Sequence, residues 1–309
     1  LKPSIGIIIN LNAKQNRKHG KDPVALYETI GGNHVIVRST CDTGQIRDVA
    51  REFRKKGIAY LGVCGGDGSL HHVISEFLQV YRSGLPPILA LKGGTMDTVS
   101  RTIKLKGKGP CILRRMIAAM RSGRTPELHT RDTIRVGKKH CFLFGLGISS
   151  NFLREYYEGG DPGPVKAVKV AARGIAGGIF GGEVGSLFTR FNACVDVDGE
   201  CVPFNDFLGI LAATVDNVGI GFRPLFRAYE ENGTFHAIFA GFGPATLVKQ
   251  IYRFKTGKPL RHPHYHETVG RRMRISSPGP IPYMMDGDLY EARDELVVES
   301  GRRVTLVRV

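Results

Sequence analysis

The chain has 309 residues, enough for one large domain or two ordinary ones, and 42% of them are hydrophobic, which excludes wholesale disorder. No apolar run approaches the ~20 residues that a bilayer-spanning helix needs, so no such helix is expected. The formal net charge of +16 favours anionic partners: a nucleotide, a nucleic acid or an acidic membrane surface.

In chain order, residues 4–11 (SIGIIINL) form an Ile-rich apolar run between polar residues and read as a buried strand. After a polar, basic loop, residues 23–30 read as a short helix and 35–38 as a second strand. Residues 43–56 carry Ile46, Val49, Ala50 and Phe53 at helical spacing. Residues 58–64 read as a third strand ending at glycines, and 69–81 as a helix with Val73, Ile74, Phe77 and Leu78 inward. Residues 87–91 repeat the pattern and end near Gly93 and Gly94; 111–120 read as a further helix. Strands alternating with helices predict a parallel sheet covered on both faces, with ligands bound beyond the C-terminal strand ends.

The character changes near Glu127. Shorter apolar runs at 133–136, 141–146, 190–197, 207–215, 233–239, 272–276 and 295–309 alternate with turn pairs such as Asp198-Gly199, Asn232-Gly233 and Asp286-Gly287. These predict antiparallel strands. Residues 153–187 mix basic and apolar residues before a run of glycines and are placed as a helix at the domain boundary. Residues 253–266 read as a polar loop, and its His262, His264 and His266 as loop residues rather than a metal site. The expected architecture is α/β. A three-layer, parallel-sheet nucleotide-binding domain spans 1–126. A mainly antiparallel β-sandwich substrate domain spans 127–309, its final strands placed to pack back on the first domain.

The most informative stretch is Gly65-Gly66-Asp67-Gly68-Ser69, between a buried strand and a helix. Glycines let the backbone approach a phosphate with no Cβ in the way, and the first-turn amides of the helix point at the anion. Ser69 can cap that helix and donate to a phosphate oxygen. Asp67 would repel phosphates unless it organises the loop or holds a cation. The bland reading is a glycine-rich strand-to-helix turn. A second loop, Lys92-Gly93-Gly94-Thr95-Met96-Asp97, falls at the same sheet edge, and Asn10, Asn12 and Lys14 follow the first strand there. The Gly-Lys-Ser/Thr ending of a P-loop is missing, and the glycine spacing differs from the dinucleotide fingerprint.

Together these stretches resemble the diacylglycerol kinase catalytic-domain family, and within it the soluble bacterial lipid kinases. The hallmark Gly-Gly-Asp-Gly-Thr stands here as residues 65–69, with Ser for Thr; Asn10-Leu11-Asn12-Ala13-Lys14 occupies the place of the family's Asn-Pro-x-x-Gly-like loop. Later, Asn232-Gly233 and Met285-Asp286-Gly287-Asp288 look like the family's Asp-Gly and Asp-Gly-Glu motifs. The resemblance covers nearly the whole chain. It departs at Asp97 and Thr98, where the family carries Asn and Asp, at Asn232, where it carries a metal-binding Asp, and at Asp288, where it carries Glu. The related NAD kinases share the first motif, but their nucleotide-recognising Asn-Glu pair is not evident.

The resemblance implies ATP and Mg2+ as cofactors and phosphorylation of a lipid hydroxyl, diacylglycerol or a related lipid. It implies that Asn10, Lys14, Thr40, Gly65, Gly66, Asp67, Gly68, Ser69, Gly94 and Thr95 hold the nucleotide. Asp288 would be the general base, Asp286 its aid, and Asn232 a metal ligand. Asp286-Gly287 is equally a hairpin turn pair. The alternatives are a kinase for a soluble substrate such as NAD, or a nucleotide- or lipid-binding protein without turnover.

The implied partner is a lipid at a membrane surface, anionic by the chain's charge. Basic and aromatic residues at 152–157, 165–179 and 247–254 are candidates to touch it. A homodimer is compatible with this reading. Nucleic acid is not expected, since Trp is absent and no zinc-finger or RNA-recognition motif accompanies the basic patches at 14–21, 51–56, 104–108 and 271–274. Six scattered cysteines without a Cys-x-x-Cys pair favour a reducing cytoplasm. The first residues read straight into a strand, so no signal peptide is expected. The expected location is cytoplasmic, peripheral at the inner membrane face.

Overall fold

The computed structural model describes residues 4–13, 22–94, 97–158, 166, 169–170, 186–219 and 221–309. The chain divides into two compact units, Leu1–Arg131 with Arg303–Val309, and Asp132–Arg302.

The first unit runs β1 (Ile5–Asn10), α1 (Pro23–Gly31), β2 (Val35–Thr40), α2 (Thr43–Lys56), β3 (Tyr60–Cys64), α3 (Asp67–Val80), β4 (Ile88–Ala90), α4 (Thr98–Thr102), α5 (Gly109–Arg121) and β5 (Glu127–Arg131). Its sheet has the order β2-β1-β3-β4, then the chain's last strand Val304–Arg308, then β5. The β1, β2, β3 and β4 pairings are parallel, and only β5 runs antiparallel to its neighbour. Ile5, Ile7, Ile8 and Ile9 are all buried, as in a strand covered on both faces. Local chemistry explains the helix ends. Asp22 accepts from the Val24 amide and Asp42 from the Gln45 amide, both at 2.9 Å, while Gly57 closes α2 in the left-handed region at φ 65°. Phe53 of α2 meets Phe77 of α3 edge-on at 6.3 Å.

The domain boundary read at 126/127 moves to 131/132 because residues 127–131 form β5, fully paired with Val304–Arg308. Their alternating, half-exposed side chains give little apolar signal. The five-residue α4 also escapes periodicity analysis, being too short to show a face.

The second unit runs β6 (Ile134–Val136), β7 (Lys139–Cys141), β8 (Leu143–Gly147), α6 (Ile148–Tyr157), β9 (Phe191–Asn192), β10 (Cys194–Val197), β11 (Glu200–Cys201), β12 (Asp206–Phe207), β13 (Gly209–Ala213), β14 (Phe235–Ala240), α7 (Pro244–Lys249), α8 (Ile251–Thr256), β15 (Tyr265–Gly270), β16 (Arg272–Met285) and β17 (Asp288–Ser300). The main strands follow one antiparallel path, β15-β14-β13-β8-β16-β17-β6-β7, with β10 also on β16. The mainly antiparallel second unit expected from the sequence is thus found, its main strands hydrogen-bonded along one continuous path. β16 links the two halves, pairing β10 through residues 273–276 and β8 through 283–285, with a register break between Ser276 and Pro280. The strand expected at 272–276 continues through Pro278-Gly279-Pro280, the bend at which it changes neighbours. Phe144, Phe207, Ile210, Phe235, Phe239, Met273, Ile275 and Val298 share one core across that path.

The stretch 253–266, read as a loop, contains part of α8 and the start of β15. Gly257 ends α8 at φ 68°, and β15 gains its ladder from β14, a long-range partner that local polarity does not reveal. Most of the boundary helix expected at 153–187 lies outside the described residues; α6 supplies its first turns.

Candidate functional site

The loop at residues 65–69 joins β3 to α3 at the C-terminal sheet edge. Gly66 is the N-cap of α3, and no side chain caps the helix, so its first turn opens on backbone. Asn10, at the end of β1, donates from Nδ2 to Ser69 Oγ at 2.7 Å and accepts from the Asn12 amide at 2.8 Å. Ser69, Asn10 and the strand end are thus one connected unit.

The second loop packs directly on the first. The Gly93 amide donates to the Gly65 carbonyl at 2.8 Å. A Cβ on Gly94 would fall 2.2 Å from Gly66 Cα, and one on Gly66 would fall 3.0 Å from Gly94 Cα. The paired glycines therefore permit a backbone-to-backbone contact that no other residue allows. Asp67 turns away from the open loop, its carboxylate accepting from the Thr98 amide at 2.8 Å and the Val99 amide at 3.2 Å. Of the two roles open to Asp67, this is loop organisation: it caps α4 from the neighbouring loop. Burial raises its pKa against the lowering effect of those amides. Asp97, in the left-handed region at φ 48°, is raised to about 6 by burial and then by the Asp67 carboxylate. Lys92 donates to the Leu105 carbonyl, and burial lowers its pKa.

A cleft of about 190 Å3 opens beside the first loop, lined by Asn10, Asn12, Thr40, Asp42, Ser69 and His72 among others. The structure thus brings Asn10, Thr40 and Ser69 to one wall, with Gly65, Gly66, Gly68 and Asp67 in the adjoining loop and Gly94 packed on it. Lys14 and Thr95 lie outside the described residues. His72 was missed by the sequence reading. It lies three residues beyond Ser69 on α3, so helical periodicity places both on one face. Polar side chains, open helix amides and a backbone free of Cβ atoms fit a nucleotide's phosphates.

In the second unit, Asp286 and Gly287 form the two-residue turn between β16 and β17, with φ of 46° and 97°. That is the backbone of a hairpin turn favouring Asp-Gly. The buried Asp286 carboxylate accepts from the amides of Phe142 at 2.9 Å and Leu143 at 2.8 Å. It anchors the turn to the start of β8. Asp288 follows as the first, half-buried residue of β17. Tyr157 Oη donates to the Gly287 carbonyl at 2.9 Å, a contact with no sequence signal. Burial, then the Asp288 carboxylate, pushes the Tyr157 pKa up to about 12. Asn232 stands exposed in the turn before β14. The carboxylates beside it hold protein partners: Asp132 accepts from the Gly233 amide at 3.1 Å, and Glu231 faces Arg271 at 3.8 Å.

The two loops, and the strands that position them, fall inside a stretch that matches a known domain. Residues 5–125 match the family model of the diacylglycerol kinase catalytic domain. A structure described as that of a candidate diacylglycerol kinase from Bacillus anthracis str. Sterne superposes with a TM-score of 0.70 at 14% identity, covering 100% of this chain and 96% of that one. A diacylglycerol kinase from the same organism gives a TM-score of 0.61 at 14% identity, covering 99% and 97%. These likenesses establish the shared fold, a parallel-sheet first unit followed by a mainly antiparallel one. No curated protein matches the chain in sequence. The matched family model is that of a kinase-type catalytic domain, which implies use of a nucleotide. Among the described residues, no helix is long and apolar enough to cross a membrane.

Proposed function

We propose that the protein transfers the γ-phosphoryl group of ATP to the hydroxyl of diacylglycerol or a related lipid. The observation that carries this reading is the diacylglycerol kinase catalytic-domain match over residues 5–125, laid on two glycine loops that pack together beside a polar cleft. ATP, with Mg2+, supplies the electrophilic phosphorus and screens its oxygens. The chain's own groups bind and orient. Open amides at the start of α3 and the Ser69 hydroxyl receive phosphate oxygens, Thr40 and Asn10 wall the cleft, and Asp67 keeps the second loop in place. Asp288 accepts the proton that the attacking lipid hydroxyl gives up. Asp286, committed to backbone amides, holds the turn that presents Asp288.

A lipid acceptor is supported by the neighbours' names and by exposed aromatics among basic residues. Tyr252 is 68% exposed, between Lys249 and Lys255 at α7 and α8. The test incubates the full chain with γ-labelled ATP, Mg2+ and mixed micelles of diacylglycerol, phosphatidylglycerol, sphingosine or ceramide, with NAD as a soluble control. Label in one lipid, reduced about 100-fold or more by Asp288→Asn, is the expected result. Label in NAD alone moves the protein to a soluble substrate. Saturable ATP binding without transfer to any acceptor overturns the kinase reading.

A further inference from the structure

The chain has 44 Lys and Arg against 28 Asp and Glu, and four of the arginines meet on one face of the first unit. Arg47, Arg51 and Arg54 recur along α2 at helical spacing, so they share a stripe. With Gln79 and Val80 at the end of α3, and Arg82 just beyond, they wall an open cleft of about 460 Å3. Two carboxylates face these guanidinium groups. Arg47 pairs with Glu76 at 2.7 Å, and its Nη2 also reaches Gln79 at 3.3 Å. Arg51 meets Asp48 at 2.6 Å through Nη1, and Arg54 donates through Nη1 to the Val80 carbonyl at 2.8 Å.

A guanidinium carries five N–H donors in a planar fork that matches phosphate oxygens. Arg51 and Arg54 each engage one atom of the protein through a single nitrogen, which leaves the other nitrogens of each fork available as donors. Arg47 is fixed in place by Glu76 and Gln79, and the Arg54 bond to Val80 O holds a cation at the electronegative end of α3. Several arginines converging on one concave surface, partly neutralised and partly pre-positioned, form the donor set of a phosphate site.

The cleft shares no lining residue with the one beside the glycine loops. α2 and α3 begin at the loop edge, where Thr43 and Ser69 line the nucleotide cleft, and both run 14 residues away from it. At about 1.5 Å per residue, Arg47 to Arg54 lie about 6–16 Å along α2 from Thr43, and Gln79 about 15 Å along α3 from Ser69. The arginine cleft is a second cleft in the same unit.

We propose that the cleft walled by Arg47, Arg51, Arg54 and Arg82 binds a phosphate-bearing anion, either the headgroup of an anionic phospholipid or a free phosphorylated small molecule. The inference stands apart from the proposed reaction and uses none of its residues.

The test compares the full chain with the Arg51→Gln/Arg54→Gln variant, two exposed positions whose loss leaves the Arg47 pairing intact. One arm measures co-sedimentation with vesicles of phosphatidylcholine alone or with added phosphatidylglycerol. The other titrates glycerol 3-phosphate by calorimetry, with the nucleotide loops occupied by a non-hydrolysable ATP analogue. A loss of about tenfold or more in affinity for either probe is expected, since each lost fork removes charge-assisted hydrogen bonds. Loss confined to phosphatidylglycerol vesicles identifies a lipid headgroup, and loss confined to glycerol 3-phosphate identifies a soluble ligand. Equal affinities of the two proteins for both probes, or no binding of either probe by the wild type, overturns the proposal.

Discussion

The Asp67 carboxylate lies 2.8 Å from the backbone amide of Thr98, so the acid of the first glycine loop caps the helix that follows the second. The two loops behave as one part because this bond and the Gly65–Gly93 backbone bond hold them together. Asp67→Asn keeps the shape but can accept from only one of the two amides, leaving the Val99 amide facing an NH2 group. We expect a loss of about 1–3 kcal/mol in unfolding free energy, measured by urea denaturation, with weaker ATP binding alongside. A variant as stable as the wild type would remove Asp67 from this role.

Gly94 tests the same contact from the other side. A Cβ there would stand 2.2 Å from Gly66 Cα, and backbone cannot yield as a flexible side chain does. Gly94→Ala should push the loops apart and cost about 1–3 kcal/mol, with ATP affinity falling while the second unit's fold persists. Circular dichroism and nucleotide titration would separate the two effects. Unchanged ATP affinity would mean that the paired glycines are not needed for the nucleotide.

Asp97 gives the first unit a pH dependence. Burial, then the Asp67 carboxylate, raises it from 3.8 to about 6. A carboxyl raised on folding stabilises the folded state when protonated. That contribution is complete below pH 3.8 and is lost as pH rises through about 6. Asp97→Asn removes the charge while keeping a side chain tolerated at φ 48°. It should be more stable than the wild type near neutral pH by about 1–2 kcal/mol, the full shift being discounted for partial solvent contact. Near pH 4 the two proteins should converge. Denaturation at both pH values checks this, and a pH-independent difference would assign the effect to packing instead.

How much was legible in the sequence depended on whether each signal was local. The strand at residues 5–10 and the helices at 43–56 and 67–80 are carried by Ile runs and by i, i+3, i+4 spacing, which the fold leaves intact. Residues 65–69 read as a phosphate loop through glycine chemistry, and their place between β3 and α3 is equally local. What Asp67 does there depends on Thr98 and Val99, about 30 residues away. The strand at 127–131 is defined by Val304–Arg308, and the strand at 272–285 passes through Pro278-Gly279-Pro280 only because a bend absorbs it. The donation from Tyr157 to Gly287 joins residues 130 apart in the chain, with no pattern to mark it.

That Tyr157 contact has a kinetic consequence if Asp288 is the base. Tyr157→Phe keeps the ring and loses the bond to Gly287 O, loosening the turn that presents Asp288. Phosphoryl transfer should fall about three- to tenfold in kcat with the KM for ATP unchanged, because the nucleotide groups are untouched. A shift in KM for ATP with kcat preserved would argue that Tyr157 acts elsewhere.

Asp286 and Asp288 are two residues apart and should fail in different ways. The Asp286 carboxylate is buried and receives the Phe142 and Leu143 amides, so Asp286→Asn sets an NH2 group against one of those donors. The expected cost is about 1–3 kcal/mol of stability, and any loss of transfer should follow the fraction unfolded. Asp288 is half-buried at the start of its strand, so Asp288→Asn should stay within about 0.5 kcal/mol of the wild type while transfer collapses. Thermal unfolding beside initial rates gives both readouts for both variants. If Asp286→Asn is stable and inactive while Asp288→Asn is active, the proton acceptor is Asp286, and its bonds to the Phe142 and Leu143 amides must open in the reacting complex.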